Sequence, residues 1–368
     1  MTDIPEYLSE QTEEDILKRM LDQVPPDLDK TEGSYIWDAL APTALEHKQA
    51  ALWAQEVLER SFASSIVEKG MPDEYLDLRC EEHGVFRKPP VAAIGTAKFT
   101  GKPGASVPLG ARIATPADEL TGTQSVFFTV TQAGIVDSTG AVTVSIQADD
   151  GGKNTVVPAG TITVIAKPIP EISSVVNDTP THDGFDRESN ADLLQRFLFK
   201  VRNPATSGNK NHYIQWATEV PGVGAVAVVP LKYGPGTVDI AVLDADRKPA
   251  GQVIIDAVKA HIADKAPIGA TVTISAAKTV PVNAATKLVL KPGFSLDTVR
   301  PEIAFNYEAY LQKLIFADDN MVRYARITQV ILDTPGVYDY SGLTINGDTV
   351  NISVEVQAIA VPGVVTLE

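Results

Sequence analysis

Residues 345–357, Ile-Asn-Gly-Asp-Thr-Val-Asn-Ile-Ser-Val-Glu-Val-Gln, read as a tight turn followed by a half-covered strand. The Asn346-Gly347 pair supplies the two positive-φ positions of a two-residue hairpin loop. After it, Val350, Ile352, Val354 and Val356 alternate with Asn351, Ser353, Glu355 and Gln357, the period-2 pattern of a strand with one buried face. Upstream, residues 332–341, Leu-Asp-Thr-Pro-Gly-Val-Tyr-Asp-Tyr-Ser, end a helix at Pro335-Gly336 and begin the first arm. Residues 331–368 therefore predict a helix, a sharp stop and a hairpin. Its covered face makes Val350, Ile352, Val354 and Val356 candidate interface residues.

The same order of elements occurs once before. Residues 213–223, Tyr-Ile-Gln-Trp-Ala-Thr-Glu-Val-Pro-Gly-Val, and residues 327–337, Ile-Thr-Gln-Val-Ile-Leu-Asp-Thr-Pro-Gly-Val, both read helix, Pro-Gly-Val, strand. A shared supersecondary solution explains two copies as well as duplication does, and two copies do not make a repeat architecture. Around the first copy, Ser189 and Asp192 form a capping box before the stripe Leu193, Leu194, Phe197, Leu198 and Val201. A helix at 213–220, strands at 223–231 and through Val238, Ile240 and Val242, a helix at 251–264 and a strand at Val272 and Ile274 complete an α-α-β-β-α-β unit. The last part holds a strand through Val289, a helix at 298–316, the helix into Pro335 and the hairpin.

Toward the N-terminus the pattern changes twice. From Pro89-Pro90, short alternating runs such as Val142, Val144 and Ile146, or Ile162 and Val164, are separated by Gly, Pro and Asp clusters, giving a small all-β unit that ends near Val176. Residues 1–88 read as helices. Thr12 and Asp15 make a capping box, Leu17, Met20, Leu21 and Val24 form a stripe, and Pro25-Pro26 stops it. Apolar residues then recur at Trp37, Leu40, Ala44, Ala51, Leu58, Phe62 and Ile66, widened by Leu45, Leu52 and Val57. Continuous from Pro42, that helix would span roughly 25 residues, on the order of 40 Å. A third starts at Pro72 and closes at Gly84. Three such helices can pack alone, or the long one can be half of an intermolecular bundle; Trp37, Leu40, Ala44, Leu52, Leu58 and Phe62 are the candidate interface in the second case.

Composition narrows the function classes. At 368 residues, two to four domains are expected. No apolar window of about twenty residues occurs and the chain opens on acidic residues, so neither a membrane span nor a signal peptide is predicted. A single cysteine, Cys80, excludes an internal disulfide framework and fits folding in a reducing cytoplasm. The net charge of −16 argues against a nucleic-acid partner. Residues 1–88 hold 9 Lys and Arg against 20 Asp and Glu, most of the excess, either as a solvated helical face or as an acidic arm that meets a basic partner.

Chemistry is sparsely encoded. His47, His83, His182, His212 and His261 are scattered and lack metal-ligand spacing on one helix. His182-Asp183-Gly184-Phe185-Asp186-Arg187-Glu188 crowds a His and three carboxylates into one loop, but the spacing matches no calcium or zinc loop. Asp244-Ala245-Asp246-Arg247-Lys248 lacks the glycine and distal glutamate of a calcium loop. Gly101-Lys102-Pro103-Gly104 and Asp149-Asp150-Gly151-Gly152 read as turns, not phosphate cradles. Trp37, Trp53 and Trp216 fall on helices, where anchoring outweighs carbohydrate stacking. No enzyme activity, cofactor or metal is predicted.

Eight stretches in order resemble the baseplate J-like proteins of contractile-tailed phages: Lys30-Thr-Glu-Gly-Ser-Tyr-Ile-Trp-Asp-Ala-Leu-Ala-Pro42, Tyr75-Leu-Asp77, Arg87-Lys-Pro-Pro90, Phe99-Thr-Gly101, Asp186-Arg-Glu-Ser189, Val220-Pro-Gly-Val223, Pro267-Ile-Gly-Ala-Thr-Val272, and residues 332–337 through Val361-Pro-Gly363. The resemblance covers nearly the whole chain and is nearest to the Gram-positive branch. It implies an α+β multidomain protein: a helical arm (1–88), a small all-β, barrel-like domain (89–178), a central α+β domain (179–277) and a C-terminal α+β domain (278–368). It implies a virion component assembled in the host cytoplasm, in the wedges of a six-fold ring around the tail tube. Its partners would be a second wedge protein bundled with the arm, further copies of itself, two per wedge, and sheath-proximal and tube-proximal baseplate proteins, without nucleic acid or membrane. The family carries no catalytic residues to transfer, and His182-Asp183-Gly184-Phe185 stands where relatives often have a glycine pair. A baseplate change that triggers sheath contraction would fall on joints near Pro89-Pro90, 177–184 and 276–280. The rival readings are a tail adaptor or fibre-attachment protein, a surface adhesin, and a polysaccharide-acting enzyme with a carboxylate pair in a groove.

Overall fold

A computed structural model describes residues 12–117 and 122–368; the acidic chain start, read above for a leader, lies outside them. The chain divides into two units, residues 1–87 with 188–202, and residues 88–187 with 203–368.

In the helical unit, Thr12 caps α1 (Glu13–Asp22) by accepting from the Asp15 N–H at 3.1 Å, as the capping box predicts. Ile16 and Leu17 are buried against Trp37, Leu40, Ala41 and Ala44 of α2 (Tyr35–Arg60). α2 begins earlier than predicted, because Ser34 caps it through the Trp37 N–H at 3.2 Å and Pro42 then lies inside the second turn. Its 26 residues bury only Ala44. A separate core joins α3 (Ala63–Glu68), α4 (Asp73–Glu81) and α5 (Asn190–Arg202) through Ile66, Leu76, Cys80, Leu193 and Phe197. Sequence reading grouped the Leu193 stripe with the α+β unit; it packs instead on helices more than a hundred residues away in the chain. Arg196 holds both Glu188 carboxylate oxygens, at 2.9 and 2.7 Å, and the Phe86 carbonyl at 2.6 Å, which fixes the residues entering α5 to this core.

In the larger unit, a six-stranded antiparallel sheet of order β7-β3-β4-β6-β1-β8 curls into a nearly closed barrel. Its long members are β1 (Ile94–Gly101) and β6 (Ala141–Ala148); the rest are β2 (Ser106–Val107), β3 (Arg112–Ala114), β4 (Phe127–Val130), β5 (Gly134–Ile135), β7 (Val164–Ile165) and β8 (Ile172–Val176), with β2 and β5 paired apart. Phe99, Ile113, Phe128, Val144 and Ile146 point inward, and the outward Thr, Ser and Gln keep the period-2 alternation. The chain leaves the barrel along β1: Phe185 and Val91 exchange N–H to carbonyl bonds of 3.0 and 2.8 Å, and His182 and Ile94 do so at 2.9 Å. Asn177, fully buried, donates to the Pro158 and Thr179 carbonyls and accepts from the Ile162 N–H. The predicted joint at 177–184 is therefore an irregular segment tied down by hydrogen bonds.

The central module lays α6 (Lys210–Glu219) and α7 (Gln252–Ala263) on a sheet of order β11-β10-β9. β9 (Val223–Pro230) is antiparallel and β11 (Thr271–Ala276) parallel to the middle strand β10 (Thr237–Asp244). Tyr213, Trp216, Ile240, Val242, Ile254 and Val258 form the core, with Phe185 from the barrel exit. The C-terminal module repeats this plan: β12 (Lys278–Leu290) lies between an antiparallel and a parallel neighbour, beneath α8 (Leu296–Gln312) and α9 (Tyr324–Leu332). The antiparallel neighbour is β14 (Val337–Ile345) and the parallel one β16 (Ala358–Leu367); a small pair joins β13 (Met321–Val322) to β15 (Ile352–Ser353).

The hairpin of residues 331–368 is corrected by this topology. Asn346 and Gly347 do adopt φ of +51° and +84°, and Ile345 and Asp348 exchange backbone bonds. The ladder stops there. Asn346 turns to β12, accepting from the Asn283 N–H at 2.8 Å and donating to the Pro281 carbonyl at 3.2 Å. Among the described strands β14 pairs with β12 alone, and the strand that should have returned beside it crosses away. Ile352 and Val354 enter the α8–α9 core, while Val350 and Val356 are more than half exposed. The alternating run is thus not one face.

Candidate functional site

Each residue that the sequence offered as an interface candidate has a place in the structure. Trp37, Leu40 and Ala44 are taken up by α1, Ala44 completely. Leu52 and Phe62 are about half exposed and Leu58 is partly buried. The open side of α2 carries Leu45, Leu52, Trp53 and Val57, of which Trp53 is 59% and Val57 64% exposed. These recur on one broad face of a 26-residue helix. Of the C-terminal set, Val354 is buried, Ile352 partly buried, and only Val350 and Val356 reach solvent.

The joint between the central and C-terminal modules is built more tightly than sequence reading implied. Ala227, Ala241, Leu243 and Ala277 pack against Ile359, with Ile315 and Phe316 beside them. Above this layer the Lys232 ammonium donates to Asp239 Oδ2 at 2.6 Å and also reaches the Gln357 side chain. Gln357 Nε2 donates to the same Asp239 oxygen at 2.8 Å. Asp239 is 3% exposed. Burial pushes its carboxyl upward, but the Lys232 and Gln357 bonds outweigh that and hold it below the ordinary value; the Lys232 ammonium is raised by its bond to Asp239. The signal was present in the sequence, since Asp239 interrupts an apolar strand, and a carboxylate inside such a strand needs a buried partner.

The crowded loop disperses. His182 pairs with Asp183 at 2.9 Å, Asp186 accepts from the Lys153 N–H at 2.8 Å, and Glu188 belongs to Arg196. Asp244 accepts from the Asp246 and Lys248 N–H groups and so organises its own turn. Among the described residues no group of three or more His, Cys, Asp or Glu is arranged to hold a metal ion. A groove of about 380 Å³ on the barrel exterior is lined by Thr96, Thr131, Ser145, Gln147, Thr179 and His182 among others, with no carboxylate in its lining. Cys80 is fully buried, and burial raises its thiol to about 11, far from a reactive thiolate. Among the described residues no helix is long and apolar enough to cross a membrane.

Barrel, central and C-terminal modules match three family models in the order in which they occur. Residues 96–184 match the baseplate J-like protein barrel domain, 205–276 the baseplate J-like central domain, and 282–368 the baseplate J-like protein C-terminal domain. The chain belongs to the baseplate J-like family, the structural proteins of phage-tail baseplates. It is 32% identical to the uncharacterized protein YqbT of Bacillus subtilis and 31% identical to the phage-like element PBSX protein XkdT of the same species, each over 93% of both chains. It is 30% identical to the baseplate protein gp47 of Escherichia phage Mu, over 57% of this chain and 60% of that one.

Proposed function

We propose that this chain is a wedge protein of a contractile baseplate, that its arm bundles with a second wedge protein through the open side of α2, and that further copies join into a six-fold ring around the tail tube. The observation that carries the arm assignment is α2 itself. Among the described residues, a helix of 26 residues that fully buries one of them is only partly covered, and Leu45, Leu52, Trp53 and Val57 offer the apolar face a bundle requires. The sheath-proximal and tube-proximal neighbours, assembly in the host cytoplasm, and the domain limits 1–88, 89–178, 179–277 and 278–368 belong to the same proposal.

The test is co-expression with the second wedge protein and capture of this chain carrying Leu52→Glu and Trp53→Glu. Loss of capture with an unchanged thermal midpoint is expected; full retention would reject the arm assignment. Point variants are preferable to deleting residues 1–88, since deletion would strip Leu193 and Phe197 of their packing partners. Relay of the baseplate change is proposed as rigid-body motion. The connections at 177–184 and 276–280 are hydrogen-bonded and packed, so residues 88–187 and 203–368 should move as one body. Hydrogen exchange in extended and contracted particles would show unaltered protection at 177–184 and 276–280; exposure there would reject it.

A further inference from the structure

Outer strands that meet solvent usually carry a guard against pairing with another chain: a bulge, a proline or a charge. β9 ends in Pro230 and slips register at Leu243/Asp244 of its partner. β14 is paired with two slips, β16 has a slip and Pro362 in its middle, and β8 has a slip at Thr100/Gly101. β11 has none of these. Its six residues pair with β10 in unbroken register, and residues 269–277, Gly-Ala-Thr-Val-Thr-Ile-Ser-Ala-Ala, contain neither charge nor proline. The Thr271 and Ala277 N–H groups bond to Gly236 and Val242 of the β10 side. Backbone direction alternates along a strand, so residues 271, 273, 275 and 277 serve β10, and the N–H and C=O groups of Val272, Ile274 and Ala276 face outward. Thr271, Thr273 and Ser275 are exposed.

We infer that β11 is the edge on which a second copy of this chain adds, antiparallel, so that two central sheets become one of six strands about a two-fold axis at Ile274. The occupant follows from charge and register. In a chain of net charge −16, two identical surfaces approach without repulsion only where neither carries charge, and β11 is such a strand. An axis at Ile274 sets it opposite its own copy and Val272 opposite Ala276 of the other copy, so every outward group is used, about six backbone bonds in all. Thr273 then faces Ser275 of the other copy in a non-hydrogen-bonded pair, where short hydroxyl side chains fit. Val272, Ile274 and Ala276 continue the apolar face that packs on the central core. This rests on the reading that copies of this chain pair, but not on the α2 assignment.

Two variants of the full chain test it. Thr273→Cys with Ser275→Cys places facing Cα atoms at about 4.5 Å, within disulfide range, and Cys80 is too buried to compete. Mild oxidation should give a covalent dimer; a monomer only would overturn the inference. Thr273→Lys with Ser275→Lys sets like charges across the axis on exposed positions. Sedimentation should show a wild-type dimer whose dissociation constant rises at least about tenfold in the lysine variant, with an unchanged thermal midpoint. A monomeric wild type, a dimer indifferent to the lysines, or protection of residues 271–276 by the second wedge protein instead would each overturn it. Loss of the dimer with intact capture of the second wedge protein separates this outcome from that of the arm.

Discussion

Two long helices of this molecule each hold an internal proline and end in opposite circumstances. α8, with Pro301, places Val299, Ile303, Tyr307 and Leu311 at four-residue spacing, all buried under the C-terminal sheet. α2, with Pro42, is half as long again and buries Ala44 alone. Local sequence makes both helical. What separates them is whether the described residues supply a neighbour for the apolar face, and among these α1 packs on the first half of α2. The lesson is that an apolar stripe reports a contact to be made and not the molecule that makes it.

The contrast can be broken from the α8 side first. Tyr307→Ala should cost about 3–5 kcal/mol in urea unfolding, as for a buried aromatic, whereas Tyr307→Phe should cost about 1 kcal/mol for the lost bond to the Val282 carbonyl. If the alanine variant were no worse than a surface change, α8 would not be the covered helix claimed here. Next come the two Pro-Gly corners that lead into β9 and β14. Gly336 has φ +93° and an added Cβ would lie 2.3 Å from the Phe294 ring, while at Gly222, φ +83°, the nearest atom would be Ile254 Cδ1 at 3.4 Å. Gly336→Ala should therefore cost about 2 kcal/mol or more and Gly222→Ala about 1 kcal/mol, read from denaturant midpoints; equal costs would mean the corners are packed alike.

A smaller effect is electrostatic. The Asp239 carboxyl is held below its ordinary value, so its contribution is complete above about pH 3.9 and is lost as pH falls through the lowered value. Lys232 is raised, so its contribution is complete below about pH 10.4 and is lost as pH rises through the raised value. Asp239→Asn should flatten the acid limb of the stability profile; an unchanged limb would show that other carboxylates govern it. Smallest of all for folding, Leu52→Glu and Trp53→Glu on α2 should stay within about 0.5 kcal/mol of the parent chain. A large loss there would mean that α2 is packed against its own chain after all.

Much of the architecture was legible beforehand. The Thr12 and Ser189 caps, the strand alternation around Val144 and Ile146, and both Pro-Gly corners depend on contacts a few residues apart, and the structure has them. The terminal hairpin failed for a physical reason. The Asn346-Gly347 turn forms, but Asn346 bonds to the bulge of β12 at Asn283, and the following residues go to β13 and the α8–α9 core while the outer edge of β14 stays without a strand among the described residues. Alternation over residues 350–356 could not reveal this, because only Ile352 and Val354 of its four apolar residues turn into the core while Val350 and Val356 meet solvent. The proposed assembly surface was half legible: the stripe on α2 was visible, but its division into a side covered by α1 and an open side around Trp53 was not.

By itself, the sequence determined the local elements, the absence of a cysteine framework and the acidic balance of its N-terminal helices, because each rests on residue type and short spacing. Only the tertiary structure decided which helix closes which core, that β11 is left as an unguarded edge, and that Gln357 meets Asp239 and Lys232 across 118 and 125 residues of chain. Pairings at such separations are selected by the geometry of the whole core, which no local pattern contains.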